Sequence, residues 1–380
     1  MTSPFEQRLE NELARRREEG LWRELRVCPP CRVNLSSNDY LQLRRHPKVQ
    51  EGARRAVEEF GAGSGASPLL SGFLPCHDRL LKQLLKWKQK PFGLLFNSGF
   101  MANQAVMKHL PGPRDLVLAD RLVHHSIIQA LMQGRAKFKR YNHLDLSQLE
   151  ELLAANRKDY ETLFVVTESV FSMDGDYPDL RRLADMKSRI PFVWILDEAH
   201  GTGVFGPSGG GLAEETGVLP QVDIVVGTLG KALASMGAYV LTSSAKVVDY
   251  LVNYAGEFIY STFLSPGAAG AAAAAVDLLR NASGERGCLR LAARRFRQRL
   301  TGSGWATNAF DSQILPVIIG DIGKTLSLKN TLLERGFLVG AVRPPTVPAG
   351  TSRLRISLHS GVTDEHFDEL LAVLNRWKNR

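Results

Sequence analysis

The sequence predicts an α/β fold, a mainly parallel central sheet with helices on both faces, plus a smaller α+β domain at the C-terminal end. Residues 93–96, 162–166, 192–196 and 224–226 are short, continuous apolar runs rich in β-branched side chains, as in strands buried on both faces. Helical patterns separate those runs from about residue 46 to 265. Each run is followed at once by Gly, Ser, Thr, Asn or an acid, and parallel sheets bind ligands beyond the carboxyl ends of their strands.

The chain has 380 residues, enough for two domains. The expected division is an N-terminal helical segment over 1–45, a large α/β domain over 46–275 and a small α+β domain over 276–380. Residues 5–26 read as a helix with Phe5, Leu9, Leu13, Leu21 and Leu25 near one stripe and balanced charges elsewhere, a solvated, salt-bridged helix and not a nucleic-acid arm. Pro29-Pro30 breaks it. Residues 263–279 form the most apolar stretch, but they are mostly Ala and Gly and are broken by Ser265-Pro266. Alanine transfers weakly into lipid, so this is a packed helix over 266–280 and not a membrane span. In the small domain, 314–319 and 353–358 read as strands and 324–335 and 363–377 as helices.

Hydrophobic residues make up 44% and charged residues 23%, which excludes a disordered chain. The net charge of +9 favours anionic partners. Much of it lies in 280–299, where seven arginines face only Glu285. Arg290, Arg294 and Arg297 share a helix face there, either a solvated face or a docking surface for an acidic carrier protein or coenzyme A phosphates. The stretch Met1-Thr2-Ser3-Pro4-Phe5-Glu6-Gln7 has neither a basic nor an apolar targeting region, so a cytoplasmic location is expected. Cys28-Pro29-Pro30-Cys31 sits in a Pro-rich turn without the βαβ context of a redox pair. A zinc site would need a second ligand pair, and Cys76-His77 fits poorly. Inert thiols and no metal are expected.

The chemistry clusters after the strands. Asn97-Ser98-Gly99-Phe100-Met101-Ala102-Asn103 is a turn opening a helix, where free N–H groups and the dipole favour phosphate. Thr167-Glu168-Ser169 through Gly175, then Asp197-Glu198-Ala199-His200-Gly201, then Thr228-Leu229-Gly230-Lys231 follow the next three runs. Gly201-Thr202-Gly203-Val204-Phe205-Gly206 fits a dinucleotide fingerprint, but Pro207-Ser208-Gly209 follows instead of a helix. Gly61-Ala62-Gly63-Ser64-Gly65-Ala66 lacks the preceding strand. A strand-end lysine, an upstream strand-end aspartate and a phosphate turn further upstream are what pyridoxal phosphate (PLP) chemistry needs. The lysine forms the Schiff base and the carboxylate keeps the pyridine nitrogen protonated.

From these residues the chain resembles the α-oxoamine synthase family of PLP enzymes over nearly its whole length. Asn34-Leu35-Ser36-Ser37-Asn38-Asp39-Tyr40-Leu41 looks like the family's N-terminal motif, and the Glu168, Asp197 and Lys231 segments look like its core motifs. Residues 343–355 are most similar to the member that joins L-alanine to a pimeloyl thioester on the way to biotin. The resemblance implies a PLP-dependent transferase fold type I (aspartate-aminotransferase-like) and a homodimer with its active site at the interface. It implies that Lys231 carries PLP and is the base at the alanine Cα, and that His124 stacks on the ring. Asp197 would pair with the ring nitrogen, and Gly99 and Phe100 would position the cofactor. Ser172 and His200 would meet its hydroxyl side, while Thr228, with Thr262 of the other subunit, would hold phosphate. Arg355 would hold the amino-acid carboxylate, with Asn38 and His124 also at the substrate, while Arg23 and Thr346 would line the acyl site. His200 or His124 would stabilise the oxyanion.

The thioester carrier, coenzyme A or acyl carrier protein, stays open. Departures at Gln42 (for Gly), Ala66-Ser67-Pro68, Phe73 (for Tyr) and Ala234-Ser235-Met236 bear on acyl preference. A glycine C-acetyltransferase is the alternative within the family; an inactive PLP-fold or basic nucleic-acid-binding protein is the alternative outside it. His46, His109, His359 and His366 are read as structural. His125 and His143 are ambiguous; the second could cap a helix through Asp145.

Overall fold

The strands of the computed structural model, which describes residues 3–379, are β1 (Val33–Leu35), β2 (Phe92–Phe96), β3 (Leu116–Asp120), β4 (Lys137–Tyr141), β5 (Leu163–Glu168), β6 (Val193–Asp197), β7 (Ile224–Thr228), β8 (Ala238–Thr242), β9 (Ile314–Gly320), β10 (Phe337–Val342) and β11 (Ser352–Ser357). Met1 and Thr2, from the stretch read for a targeting signal, lie outside the described residues. Seven strands form one sheet in the order β2-β8-β7-β6-β5-β3-β4, and four form a second in the order β1-β10-β11-β9.

In the large sheet only β8 runs against its neighbours, pairing antiparallel with both β2 and β7. The others run parallel, so β2, β3, β5, β6 and β7 all end at one edge. Every residue of β3 and β5 is buried, as the unbroken apolar runs require. Strand β4, Lys-Phe-Lys-Arg-Tyr, is mostly exposed at the sheet margin; its charges suit an edge.

Two expectations need correction in the N-terminal segment. Its helix spans Pro4–Glu18 and not 5–26, because Gly20 takes a left-handed φ of +67° just past the last turn. Leu25 is fully exposed and joins no stripe. Nor is 1–45 only helical: β1 pairs parallel with β10, so residues 33–35 belong to the small sheet.

The Ala-rich helix is Pro266–Asn281, capped by Ser265 with Pro266 at the first position. It lies against the helix Pro47–Phe60, and a Cβ on Gly52 would sit 2.6 Å from the Gly270 carbonyl oxygen. Small residues therefore serve close helix contact. No helix among the described residues is long and apolar enough to cross a membrane.

The arginine-rich helix runs Ser283–Gly302, and its charges are used within the chain. Arg290 pairs with Glu215 (2.7 Å) and Asp311 (2.6 Å), and Arg294 with Asp311 (3.0 Å). Arg297 is buried and donates to Asn308 and to the carbonyls of Ser312 and Ile314. Arg286 is buried against the carbonyls of Leu279 and Pro207. The docking surface read from helical spacing is thus corrected. Arg286, Arg290 and Arg297 satisfy carbonyls and acids within the chain, and only Arg294 of the predicted face is exposed, itself paired with Asp311.

Candidate active site

Four adjacent parallel strands end on polar residues at the same edge: Asp120 on β3, Glu168 on β5, Asp197 on β6 and Thr228 on β7. Phe96 and Thr228 both pair with Ala238 of the intervening β8, which brings the turn after β2 beside Thr228. A Cβ on Gly99 would lie 3.8 Å from the Thr228 side chain. Ser98 caps the helix Gly99–His109 by accepting from the Met101 N–H, so the amides of Gly99 and Phe100 open that helix free of intrahelical partners.

Lys231 follows β7, and its Nζ lies 2.7 Å from His200 Nε2. His200 Nδ1 lies 2.6 Å from the Tyr40 hydroxyl, which donates to Asn38 Oδ1 at 3.2 Å. The ring of His200 thus bridges the Tyr40 hydroxyl and the Lys231 amine through its two nitrogens. Asn38 Oδ1 also accepts from Arg355 Nη2 at 3.1 Å. Burial pushes the Lys231 amine down to about 8, against the opposing pull of Asp197 and Glu168. Burial, with the charges of Lys231 and Arg355, holds His200 well below the usual imidazole range. A neutral imidazole beside a partly neutral amine results.

Asp197 takes the Asn103 amide on Oδ2 and the Ala199 N–H on Oδ1, both at 2.9 Å. Asn103 also donates to Ser126 Oγ (3.1 Å), which lies 2.7 Å from His124 Nδ1. His124 and Asp197 are therefore tied together through two side chains, and the backbone N–H of His124 donates to Glu168. Burial and the nearby Asp197 hold Glu168 well above the usual carboxylate range.

Arg355 comes from β11 of the small sheet and donates to the Ser172 carbonyl, Ser357 Oγ (2.7 Å) and Asn38. Arg353, on the same face of the strand, pairs with Asp174 instead. Gly175 makes the approach possible: its left-handed φ is +69°, and a Cβ there would strike the Ile314 carbonyl. Arg23 and Thr346 meet at 3.4 Å, apart from the lysine cluster. Thr262 is exposed, and its carbonyl accepts from Asn97 at 2.6 Å, beside the turn after β2 of its own chain.

Tyr40, Asn103, Ser126 and Glu168 join this cluster without having been singled out from sequence. Glu168 stands within a core motif at a strand end but carried no predicted role; Tyr40 and Asn103 lie inside motif stretches without a predicted role of their own, and Ser126 had no signal. His143 does not cap through Asp145. Asp145 caps the helix Leu146–Asn156 alone, while His143 lies between Asp120 and Asp176. Gln42, in a position read as glycine's, does adopt a left-handed φ of +55°. Cys28 and Cys31 are free thiols, and burial pushes Cys31 above the usual thiol range.

Residues 32–374 match the family described as aminotransferase class I and II. The chain is 42% identical over 378 residues to the 8-amino-7-oxononanoate synthase of Geobacter sulfurreducens, covering 96% of each. It is 43% identical over 345 residues to that of Methylococcus capsulatus, covering 90% of this chain and 88% of the relative. This chain belongs to the 8-amino-7-oxononanoate synthase family. Among solved structures, serine palmitoyltransferase from S. paucimobilis, bound to a PLP–myriocin adduct, superposes with a TM-score of 0.90 at 26% identity, covering 98% of this chain and 96% of that one. An 8-amino-7-oxononanoate synthase from Francisella tularensis does so at 0.79 and 28%, covering 91% and 98%. The fold is the PLP-dependent type I fold, and the family is one of PLP-dependent acyl-transferring enzymes.

The donor set fits PLP. An amine of lowered basicity lies near a carboxylate already oriented by two donors, and a helix N-terminus with a hydroxyl stands at the same sheet edge. Asn103 Oδ1 is buried and has no partner among the described residues, so the site keeps unused polar capacity.

Proposed function

We propose that this chain condenses L-alanine with a pimeloyl thioester, releasing CO2 and free thiol and giving 8-amino-7-oxononanoate for biotin synthesis. It would do so as a homodimer in the cytoplasm. The observation that carries this is the meeting of the Lys231 amine, the Asp197 carboxylate and the Arg355 guanidinium, drawn from two sheets, around one strand edge.

When bound, PLP supplies the electron sink that lets an amino-acid carbon shed a proton. Lys231 is the residue that holds the cofactor, and its amine removes the alanine Cα proton and later returns one. A pKa of about 8 leaves a useful neutral fraction near physiological pH. Asp197, its orientation fixed by Asn103 and the Ala199 N–H, would keep a proton at the ring nitrogen. His124 would stack on the cofactor ring, and Ser172 and His200 would contact its hydroxyl side. Thr228 and the Gly99 and Phe100 amides would hold the phosphate, with Thr262 also contributing at that end. Arg355, backed by Asn38, forks onto the alanine carboxylate. Arg23 and Thr346 receive the acyl thioester. His200, hydrogen-bonded to the Tyr40 hydroxyl through Nδ1, is placed to orient the Lys231 amine through Nε2. The carbon balance closes with Cα–acyl bond formation, departure of the thiol, loss of the alanine carboxyl as CO2 and reprotonation at Cα.

Product mass spectrometry tests the proposal, with L-alanine or glycine against pimeloyl-CoA, pimeloyl-acyl carrier protein or acetyl-CoA. The expected product is 8-amino-7-oxononanoate, formed from L-alanine with at least one pimeloyl donor. A preference for glycine with acetyl-CoA would overturn the substrate reading.

A further inference from the structure

His143 stands outside the cluster that meets the amino acid, in the turn after β4. Both of its ring nitrogens face carboxylates: Nδ1 lies 2.9 Å from Asp120 Oδ1 and Nε2 lies 2.9 Å from Asp176 Oδ2. A neutral imidazole has one N–H and would set a lone pair against the other carboxylate. Two donors are needed, so the ring is a cation, and Phe171 covers it edge-on with ring centroids 4.4 Å apart. Burial alone would strip the proton, but the hydrogen bonds and charges of Asp120 and Asp176 push its pKa up to about 10.

Each carboxylate organises a different turn. Asp120 ends β3 and accepts from the N–H groups of Leu122 (2.8 Å) and Leu144 (2.9 Å). It thereby shapes the four residues leading to His124. Asp176 closes the other turn, where its carbonyl accepts from the Phe171 N–H at 2.9 Å. That turn contains Ser172, whose carbonyl orients Arg355. The other charged or titratable groups near the pair are Asp174 with its partner Arg353, and Glu168 and Tyr141 beside Asp120. Asp176 Oδ1 is buried with no partner among the described residues, which makes its other oxygen's bond to His143 the contact that compensates its burial.

We propose that His143 is a positioning residue, a half-buried cation that locks the turn presenting His124 to the turn whose Ser172 carbonyl orients Arg355. Its effect on alanine rests on the function proposed above; its effect on cofactor binding does not.

The test compares His143→Gln, Asp176→Asn and the double variant, measuring PLP dissociation by fluorescence, alanine KM and kcat, and melting temperature. His143→Gln should raise the PLP dissociation constant and the alanine KM at least tenfold each, with kcat changed less. Adding Asp176→Asn removes the uncompensated charge and lets two amides bridge, so the double variant should recover to within about threefold of wild type. A lower melting temperature with unchanged PLP affinity and KM would overturn the proposal. So would a double variant no better than the single one. If His143→Gln does not fold, nitrogen-15 histidine spectra of the wild-type holoenzyme decide. Two ring N–H signals for His143 at pH 8.5, assigned by the Asp176→Asn perturbation, support the clamp, and a single one overturns it. A wild-type enzyme that binds PLP but ignores L-alanine would defeat the function and leave the cofactor-affinity arm intact.

Discussion

Lys231, Asp197 and Arg355 each have a role that a single measurement can isolate. In the proposed reaction the neutral Lys231 amine would be the nucleophile that captures PLP. Because its pKa is near 8, the rate at which apoenzyme takes up PLP should rise close to tenfold per pH unit below 8 and flatten above it. A stopped-flow pH series checks this; a profile still rising at pH 10 would mean an ordinary lysine. Arg355→Ala should raise the alanine KM at least tenfold and leave the thioester KM nearly unchanged, since a charge-assisted fork to a carboxylate is removed. Arg353→Ala should leave the alanine KM within about threefold and lower stability, because Arg353 is engaged by Asp174. The residues proposed as catalytic stood out in the sequence because strand ends and their following turns carry them, and the structure brings Lys231 and His200 together. Tyr40 and Asn103 did not stand out, since their partners His200 and Asp197 lie 160 and 94 residues away. No local pattern records such a contact. His143 was noticed but given the wrong neighbour: Asp145 is near in sequence, whereas Asp120 and Asp176 are near only after folding.

The elements were legible to the extent that their burial was symmetrical. Strands covered on both faces read as apolar runs, which is why β2, β5, β6 and β7 were found; the charged edge strand β4 was not, and β3 and β8 were also passed over although every residue of each is buried. The first helix was overextended because leucines continue past Gly20, where the backbone turns left-handed. The Ala-rich helix was read correctly as packed, and Gly52 opposite Gly270 gives the reason. Gly52→Ala sets two effects against each other. Helix propensity favours Ala over Gly by about 1 kcal/mol, whereas overpacking typically costs about 1–3 kcal/mol. The atom met at 2.6 Å is backbone oxygen and Ala274 Cβ is at 3.0 Å, so neither can swing away and the clash should win. Urea denaturation should show a net loss of about 1–2 kcal/mol by that comparison; a gain would mean the helices part freely.

At the scale of the whole molecule, the two sheets are joined at the strand edge where the chemistry lies. Gln313 donates to the His200 carbonyl at 2.9 Å, Ser312 to the Gly175 carbonyl, and Tyr177 to Asp311 at 2.8 Å. The basic surplus belongs to the same junction. Arg297→Ala would leave the buried carbonyls of Ser312 and Ile314 without their donor, at roughly 1–3 kcal/mol for each group left unsatisfied. Equilibrium unfolding should therefore show a loss of at least about 2 kcal/mol, and a change within experimental error would return this helix to the solvated-face reading. The proposed chemistry depends on one lysine, Lys231. Borohydride reduction of the PLP-loaded enzyme, followed by proteolysis and mass spectrometry, is the most direct test. The account predicts a reduced pyridoxyl phosphate adduct on the Lys231 peptide and on no other; an adduct on another lysine, with Lys231 unmodified, would contradict it.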